Sequence, residues 1–243
     1  MKNLEKKQKL TSVLKTAKYV RFKKTFKSTD QTEKRQKKKA SIYDVAIVGA
    51  GVTGTALLYV LSHYTNIKSI ALLEKYETVA SVNSNKINNS QTLHVGDIET
   101  NYTLEKAAKV KEGAELVAAY VEKRAPQAFR KMHKMVLAVG DREVQELGQR
   151  YEEFKRLFPQ LKKINREQIA KIEPNVVKER NPTENILALY SEDGFAIDFG
   201  KLAGSFVEQA QKKKDKTIDV LLGTRVRRIK KEHNAFIITT DSG

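Results

Sequence analysis

Ile42-Tyr43-Asp44-Val45-Ala46-Ile47-Val48-Gly49-Ala50-Gly51-Val52-Thr53-Gly54-Thr55-Ala56-Leu57-Leu58-Tyr59-Val60-Leu61 is the stretch that decides the fold. Its first seven residues are rich in β-branched side chains and read as a buried strand, whereas Thr55–Leu61 carries helical apolar spacing. The glycines between them sit in the pattern GxGxxG. Strand, glycine turn and helix in that order predict the opening of a dinucleotide-binding βαβ unit, in which each glycine has its own task. Gly49 allows the tight turn, Gly51 lets backbone come close to a pyrophosphate, and Gly54 lets the helix pack tightly on the strand. The exposed amides of the first helical turn, where Val52 and Thr53 stand, then face an anion.

Moving outward, Ser69-Ile70-Ala71-Leu72-Leu73 reads as a second strand that ends in Glu74, followed by Lys75. An acidic residue about 20 positions beyond the last glycine is where the adenosine ribose hydroxyls are met. No arginine follows at once to take a 2′-phosphate, which disfavours NADP. The chain then enters a polar run from Ser81 to Thr92, crowded with small hydroxyl and amide side chains. Ser84, Asn88, Ser90, Gln91 and Thr92 suit a loop lying along a ribityl-pyrophosphate chain, since they donate and accept without bulk. Composition alone fits a flexible linker equally well, so the residues leave the choice between NAD and FAD open.

The 243-residue chain, 40% hydrophobic, is long enough for one fair-sized domain or one and a half. No stretch approaches the roughly 18 uninterrupted apolar residues of a membrane span. The absence of cysteine removes disulfides, iron–sulfur clusters and thiolate metal sites. His63, His94, His133 and His233 are scattered without metal-ligand spacing, and no metal site is expected. A net charge of +17 raises the question of nucleic acid, but residues 1–40 alone carry 13 Lys, 2 Arg, 2 Glu and 1 Asp. The remainder is close to an ordinary enzyme body and has no interleaved basic and aromatic patch, so no nucleic-acid partner is expected.

That tail, 1–40, holds Leu10, Val13, Leu14, Ala17, Tyr19, Val20, Phe22 and Phe26 between its lysines. It should not build a core. Its loose amphipathic character fits a targeting or membrane-surface segment as well as a solvated extension.

Three stretches decide between the cofactors by resemblance. Val45–Gly51, Leu72-Leu73-Glu74-Lys75, and Asn83-Ser84-Asn85 through Asn88-Asn89-Ser90-Gln91-Thr92-Leu93-His94 resemble the FAD-binding segments of malate:quinone oxidoreductases. Gly96–Thr103 and Lys134–Gly140 resemble the same family, so the likeness runs over most of residues 42–199. Asn89–His94 is also similar to a loop of 2-hydroxyglutarate dehydrogenases, within the wider set of D-amino-acid-oxidase-like flavoproteins. The resemblance implies an α/β fold, with a glutathione-reductase-type, Rossmann-like FAD domain interleaved with part of an antiparallel α+β substrate domain. On that plan residues 41–130 and 195–243 form the FAD domain and 131–194 the partial substrate domain. Family members are longer, so a C-terminal remainder with further substrate-domain strands and most dicarboxylate-binding residues is expected to be missing.

Helices are expected at Tyr102–Arg124, Asp141–Phe158, Arg166–Ile172 and Lys201–Lys213, and strands at 135–139, 186–190, 218–222, 224–229 and 235–240. Asp193-Gly194 reads as a turn and Asp198 as a helix N-cap. The resemblance implies that the backbone of Val226 holds the adenine edge. It further implies oxidation of L-malate to oxaloacetate, with electrons passed through FAD to a membrane quinone, at a peripheral membrane position. That position is mitochondrial in a eukaryote and the cytoplasmic face of the inner membrane in a bacterium. Two other classes stay open: another FAD-dependent 2-hydroxyacid or amine oxidoreductase, and a non-catalytic nucleotide-binding module. His94 is the one candidate for a catalytic or flavin-facing group, because it closes the polar loop; a histidine hydrogen-bonded within a packed loop is the other reading. His63, at a helix C-terminus, has a structural explanation.

Overall fold

The computed structural model describes residues 19–23 and 41–241. The strands are β1 (Tyr19–Lys23), β2 (Ser41–Tyr43), β3 (Val45–Val48), β4 (Ser69–Leu73), β5 (Phe129–Val139), β6 (Lys162–Asn165), β7 (Ile186–Ile197), β8 (Thr217–Leu221), β9 (Val226–Glu232) and β10 (Ala235–Thr240). The helices are α1 (Val52–Tyr64), α2 (Leu104–Arg124), α3 (Gly140–Phe154), α4 (Arg166–Ile172), α5 (Pro174–Val177) and α6 (Phe199–Gln211). Two compact units result, Met1–Asn89 with Phe199–Gly243, and Ser90–Asp198. This division differs from the expected one, because residues 90–130 fall in the second unit. The reason is visible in the bonds of that segment to the rest of the unit: the Leu93 amide donates to the Phe195 carbonyl at 3.0 Å, the Ile197 amide to that of Gln91 at 2.6 Å, and Asp97 pairs with Lys134.

In the first unit, β3, β4 and β8 form a parallel sheet in the order β3-β4-β8, and β2, β1, β10 and β9 form a mixed sheet in that order. The alternation of a strand puts successive β4 side chains on opposite faces. Ile70 and Leu72 enter one core with Ile47, Leu58, Leu61 and Ala210, under α1 and α6. Ala71 and Leu73 enter the other, with Tyr43 and Ile238 of the mixed sheet.

The single strand expected at Ile42–Val48 is two strands in two sheets. Asp44 makes the break: its carboxylate accepts from the amides of Lys68 and Ser69, each at 2.9 Å, and so joins the chain to the start of β4. A side chain that binds neighbouring backbone competes with the ladder. The tail 1–40, expected to build no core, contributes one strand, since Tyr19–Lys23 pairs parallel to β10 and antiparallel to β2. The rest of the tail's expected amphipathic stretch lies outside the described residues.

The end of α1 is closed by a lysine. Lys216 Nζ donates to the carbonyls of Thr65 and Ile67 at 2.7 and 2.6 Å, taking up carbonyls at the end of the helix and just beyond it.

The second unit is antiparallel, in the order β5-β7-β6. Ile164, Ile169, Ile186 and Ala188 form its core, with Ile172 and Val176 of α4 and α5 packed against it. Asp193-Gly194 is not a turn; β7 runs unbroken to Ile197, and Gly194 lies opposite Met132. The glycine is required by that close pairing, because a Cβ there would meet the Met132 carbonyl oxygen at 2.4 Å.

Tyr43 Oη donates to Asp219 Oδ2 at 2.5 Å, linking the mixed sheet to β8. Burial first, and then this bond, push the Tyr43 hydroxyl from 10.0 up to about 12. The fold favours the protonated phenol, so the stability it contributes is complete below pH 10 and is lost as pH rises through about 12. In an absorbance titration, Tyr43→Phe is expected to remove one late-titrating tyrosinate. An unchanged titration near pH 12 in the variant would place that group elsewhere.

Candidate functional site

The glycine turn after β3 is the centre of the candidate site in the first unit. Gly49 has φ +100 and donates its amide to the Leu73 carbonyl at 2.8 Å, so the turn is tied to the end of the neighbouring strand. Gly54 is the tightest point. A Cβ added to it would lie 2.0 Å from the Gly49 carbonyl oxygen, and no L side chain fits. Gly51 differs, since a Cβ there would meet nothing nearer than Ser84 Oγ at 3.4 Å. Packing within the chain does not require a glycine at 51; close approach of a ligand would.

Glu74 is 8% exposed, and both its oxygens are engaged. Oε2 accepts from the Ala50 amide at 2.7 Å and Oε1 from the Tyr76 amide at 3.1 Å. The sequence reading saw a ribose ligand in Glu74 and missed this brace across the glycine turn. The spacing from Gly54 gave no signal of it, because the bond needs β3 and β4 to be adjacent. Ser84 comes to the same place, accepting from the Val52 amide at 2.9 Å. The first turn of α1 holds no acidic side chain, and Gly51 supplies no side-chain cap. A helix start of this kind favours an anion.

The structure therefore brings together Gly49, Gly51, Val52, Gly54, Glu74 and Ser84, with Thr53 exposed in the first turn of α1. Lys75 is exposed, its Nζ 4.7 Å from the Tyr76 ring centroid. Asn88 Nδ2 donates to the Val82 carbonyl at 2.9 Å, so this side chain folds the polar loop on itself. Val226 packs its side chain against the core of Tyr43, Ala71, Leu73 and Ile238, while its backbone pairs with Thr240. His63, in the last turn of α1, has Nδ1 3.1 Å from the Tyr59 carbonyl oxygen, which fits the structural reading.

Ser90, Gln91, Thr92 and His94 belong to the second unit. Gln91 has φ +54, and its carbonyl accepts from the Ile197 amide at 2.6 Å. Thr92 is bridged to Ala196. His94 Nδ1 lies 2.7 Å from Glu99 Oε1, so it does take part in a hydrogen-bonded loop. The rest of that loop was not legible in the sequence. Asp97 is fully buried and pairs with the nearly buried Lys134 at 2.5 Å. Arg150 donates to the Tyr102 carbonyl at 3.1 Å and also to that of Glu99. Burial draws its guanidinium below the ordinary arginine value, with Glu99 acting in the opposite direction.

The family model described as malate:quinone oxidoreductase (Mqo) matches residues 41–241. The chain belongs to the malate:quinone oxidoreductase family. It is 46% identical over 209 residues to a probable malate:quinone oxidoreductase of Campylobacter jejuni, covering 82% of this chain and 46% of that protein. The malate:quinone oxidoreductase of Helicobacter pylori is 37% identical over 205 residues, with 82% and 45% covered. The chain thus spans about half the length of the curated relatives it matches. Among solved structures, glycine oxidase of Geobacillus kaustophilus aligns with a TM-score of 0.66 at 19% identity, covering 83% of this chain and 52% of that one. The dithionite-reduced L-alpha-glycerophosphate oxidase of Mycoplasma pneumoniae, with FAD bound, aligns at 0.60 and 24% identity, covering 81% and 49%. These likenesses show the fold, and the mixed α/β class with parallel and antiparallel sheets agrees with the sequence reading.

Removing one member of a buried ion pair strands the other, at a cost of about 3–5 kcal/mol. Lys134→Met is expected to lower stability by that order in urea unfolding. Lys134→Met combined with Asp97→Leu should recover most of the loss. A single variant as stable as the parent would show the pair to be solvated.

Proposed function

We propose that this family member binds FAD and takes part in the oxidation of L-malate to oxaloacetate, with electrons passed to a membrane quinone. The observation that carries the reading is the glycine turn at the start of α1, braced by Glu74 and left without an acidic neighbour in the helix's first turn. A pyrophosphate would sit there, with the backbone amides of Gly51 and Thr53 as donors and the Val52 amide held by Ser84 Oγ at its edge. Glu74 retains acceptor capacity beyond its two backbone bonds and can take the adenosine ribose hydroxyls. Ser84, Asn88, Ser90, Gln91 and Thr92 are assigned along the chain toward the flavin, Lys75 beside the ribose, and the Val226 backbone at the adenine edge. On this reading residues 41–130 with 195–243 serve the cofactor and 131–194 the substrate. Bound FAD supplies the two-electron chemistry by accepting hydride from the carbinol carbon.

The test is flavin content and its reduction. The purified chain should carry or take up FAD, with its visible absorbance, and Gly51→Val should abolish uptake while leaving the fold intact by circular dichroism. Anaerobic L-malate should bleach the bound flavin, and a quinone analogue should restore it. A Gly51→Val protein that kept flavin would refute the site, and bleaching by glycine or glycerol 3-phosphate in place of malate would refute the substrate.

A quinone lies in the bilayer, and among the described residues no helix is long and apolar enough to cross it. Peripheral contact is the arrangement we propose, at the cytoplasmic face of the inner membrane, since the relatives named above are bacterial. Basic residues in 1–40 could each contribute about 1 kcal/mol at an anionic surface. Deletion of residues 1–18, which spares β1, should weaken sedimentation with anionic vesicles and leave FAD uptake unchanged. Equal sedimentation of the two proteins would reduce that segment to a bystander.

A further inference from the structure

We propose that the outer face of the mixed sheet β2-β1-β10-β9 is the surface by which the chain meets an anionic phospholipid bilayer. The inference rests on the peripheral contact proposed above and goes beyond it by naming a folded surface for that contact.

Strand register sorts the residues of this sheet between two faces. Arg21 stands between Ile42 of β2 and Ile237 of β10, and Ile237 in turn is paired with Lys230 of β9. The next row on the same face is Lys23, Thr239 and Arg228. Two adjacent rows thus hold four basic positions and two isoleucines. The alternate rows hold Tyr43 and Ile238, which are buried with Ala71 and Leu73 of β4. Since successive residues of a strand alternate between faces, the face that carries the basic rows lies away from that core. Ile42 is 54% exposed, Arg228, Lys230 and Thr239 are exposed, and Ile237 is partly so.

Protection of a sheet edge explains part of this charge, because basic side chains on β9 discourage pairing with another chain. That reason does not reach positions 21 and 23, which stand on an inner strand between β2 and β10. One acidic residue, Glu232, ends the neighbouring row beside Ala235, and it meets Lys230 at 2.9 Å. Among the described residues no ion pair forms at Arg228. Like charges gathered on one face repel, and an anionic surface laid against them turns that cost into attraction. With strands about 4.8 Å apart, the face is roughly 15 Å across, which suits an extended charged surface better than a single anion. Ile42 points to the same partner. Phospholipid headgroups overlie an apolar phase, and an exposed isoleucine among cations gains at that boundary, whereas a nucleic-acid strand is met by aromatic stacking platforms. The lysine-rich segment 1–40, already assigned a part in the peripheral contact, is tied to this same sheet through β1.

The test is partition of the full chain onto vesicles of phosphatidylglycerol mixed with phosphatidylcholine, read by sedimentation. Arg228→Gln combined with Lys230→Gln is expected to weaken partition by roughly 30-fold, at about 5-fold for each charge near an anionic surface. Ile42→Ser, an independent variant that leaves every charge in place, should weaken it by about 5-fold through lost apolar contact. Both are read on protein whose circular dichroism matches the parent. Lys212→Gln combined with Lys214→Gln removes the same charge from the exposed loop between α6 and β8, and should change partition far less. Equal weakening by the two double variants would overturn the proposal, because net charge alone would then govern. Parental partition of the Arg228 and Lys230 double variant would overturn it too, while the peripheral contact itself stood. A parent that stays in solution with these vesicles fails that contact and the proposal together. Tighter binding of a short DNA duplex than of vesicles, lost in the same double variant, would overturn the bilayer as the partner.

Discussion

The closest approach in the first unit is between the start of α1 and the end of β3, where a single methyl group at Gly54 would run into the Gly49 carbonyl. That contact dictates much else. It forces the helix to leave the strand at once, which lays α1 across the parallel sheet and buries Leu58 and Leu61 over Ile47, Ile70 and Leu72. It also leaves the amides at the beginning of the helix without a side-chain cap at residue 51. A turn this tight would be costly to hold by its own dihedrals. The neighbouring strand holds it: Leu73 takes the Gly49 amide and Glu74 the Ala50 amide, so the loop is braced before any ligand arrives.

Glu74 consequently has two demands on one carboxylate. Its buried oxygens brace the turn, and the ribose role assigned to it uses the remaining lone pairs. These demands are compatible because the backbone donors come from within the chain and orient the carboxylate, which lowers the cost of ordering it on binding. The acid at the end of β4 is therefore part of the turn's own brace as well as the residue proposed for the ribose.

The features legible in the sequence were those set by local rules. The glycine turn, the strand Ser69–Leu73, the helix Arg166–Ile172 and the strand Ala235–Thr240 follow from periodicity and punctuation. What escaped was decided by partners far along the chain. Asp44 splits a run that reads as one strand, because Lys68 and Ser69 are there to donate to it. Asp193-Gly194 has the composition of a turn, but β5 lies alongside and needs a residue without a side chain opposite Met132. Tyr19–Lys23 lies in a lysine-rich tail, too short an apolar alternation to stand out there, and it is a strand through its pairing with β2 and β10. In the candidate site, the glycines and Glu74 were visible, whereas the scaffold of His94 was not. Asp97, Lys134 and Arg150 are charged residues of unremarkable spacing, brought together by folding alone.

Burying Asp97 and Lys134 is a poor way to gain stability, since an apolar pair of similar volume would serve at least as well. Its effect is on uniqueness. One carboxylate oxygen of Asp97 takes the lysine and the Ile98 amide, and the other is buried without a partner. A carboxylate so placed tolerates no alternative position for the chain on either side. The segment from Val95 to Glu99 is pinned at its middle by charge, at its start by the β7 pairing of Leu93, and at its end by Arg150.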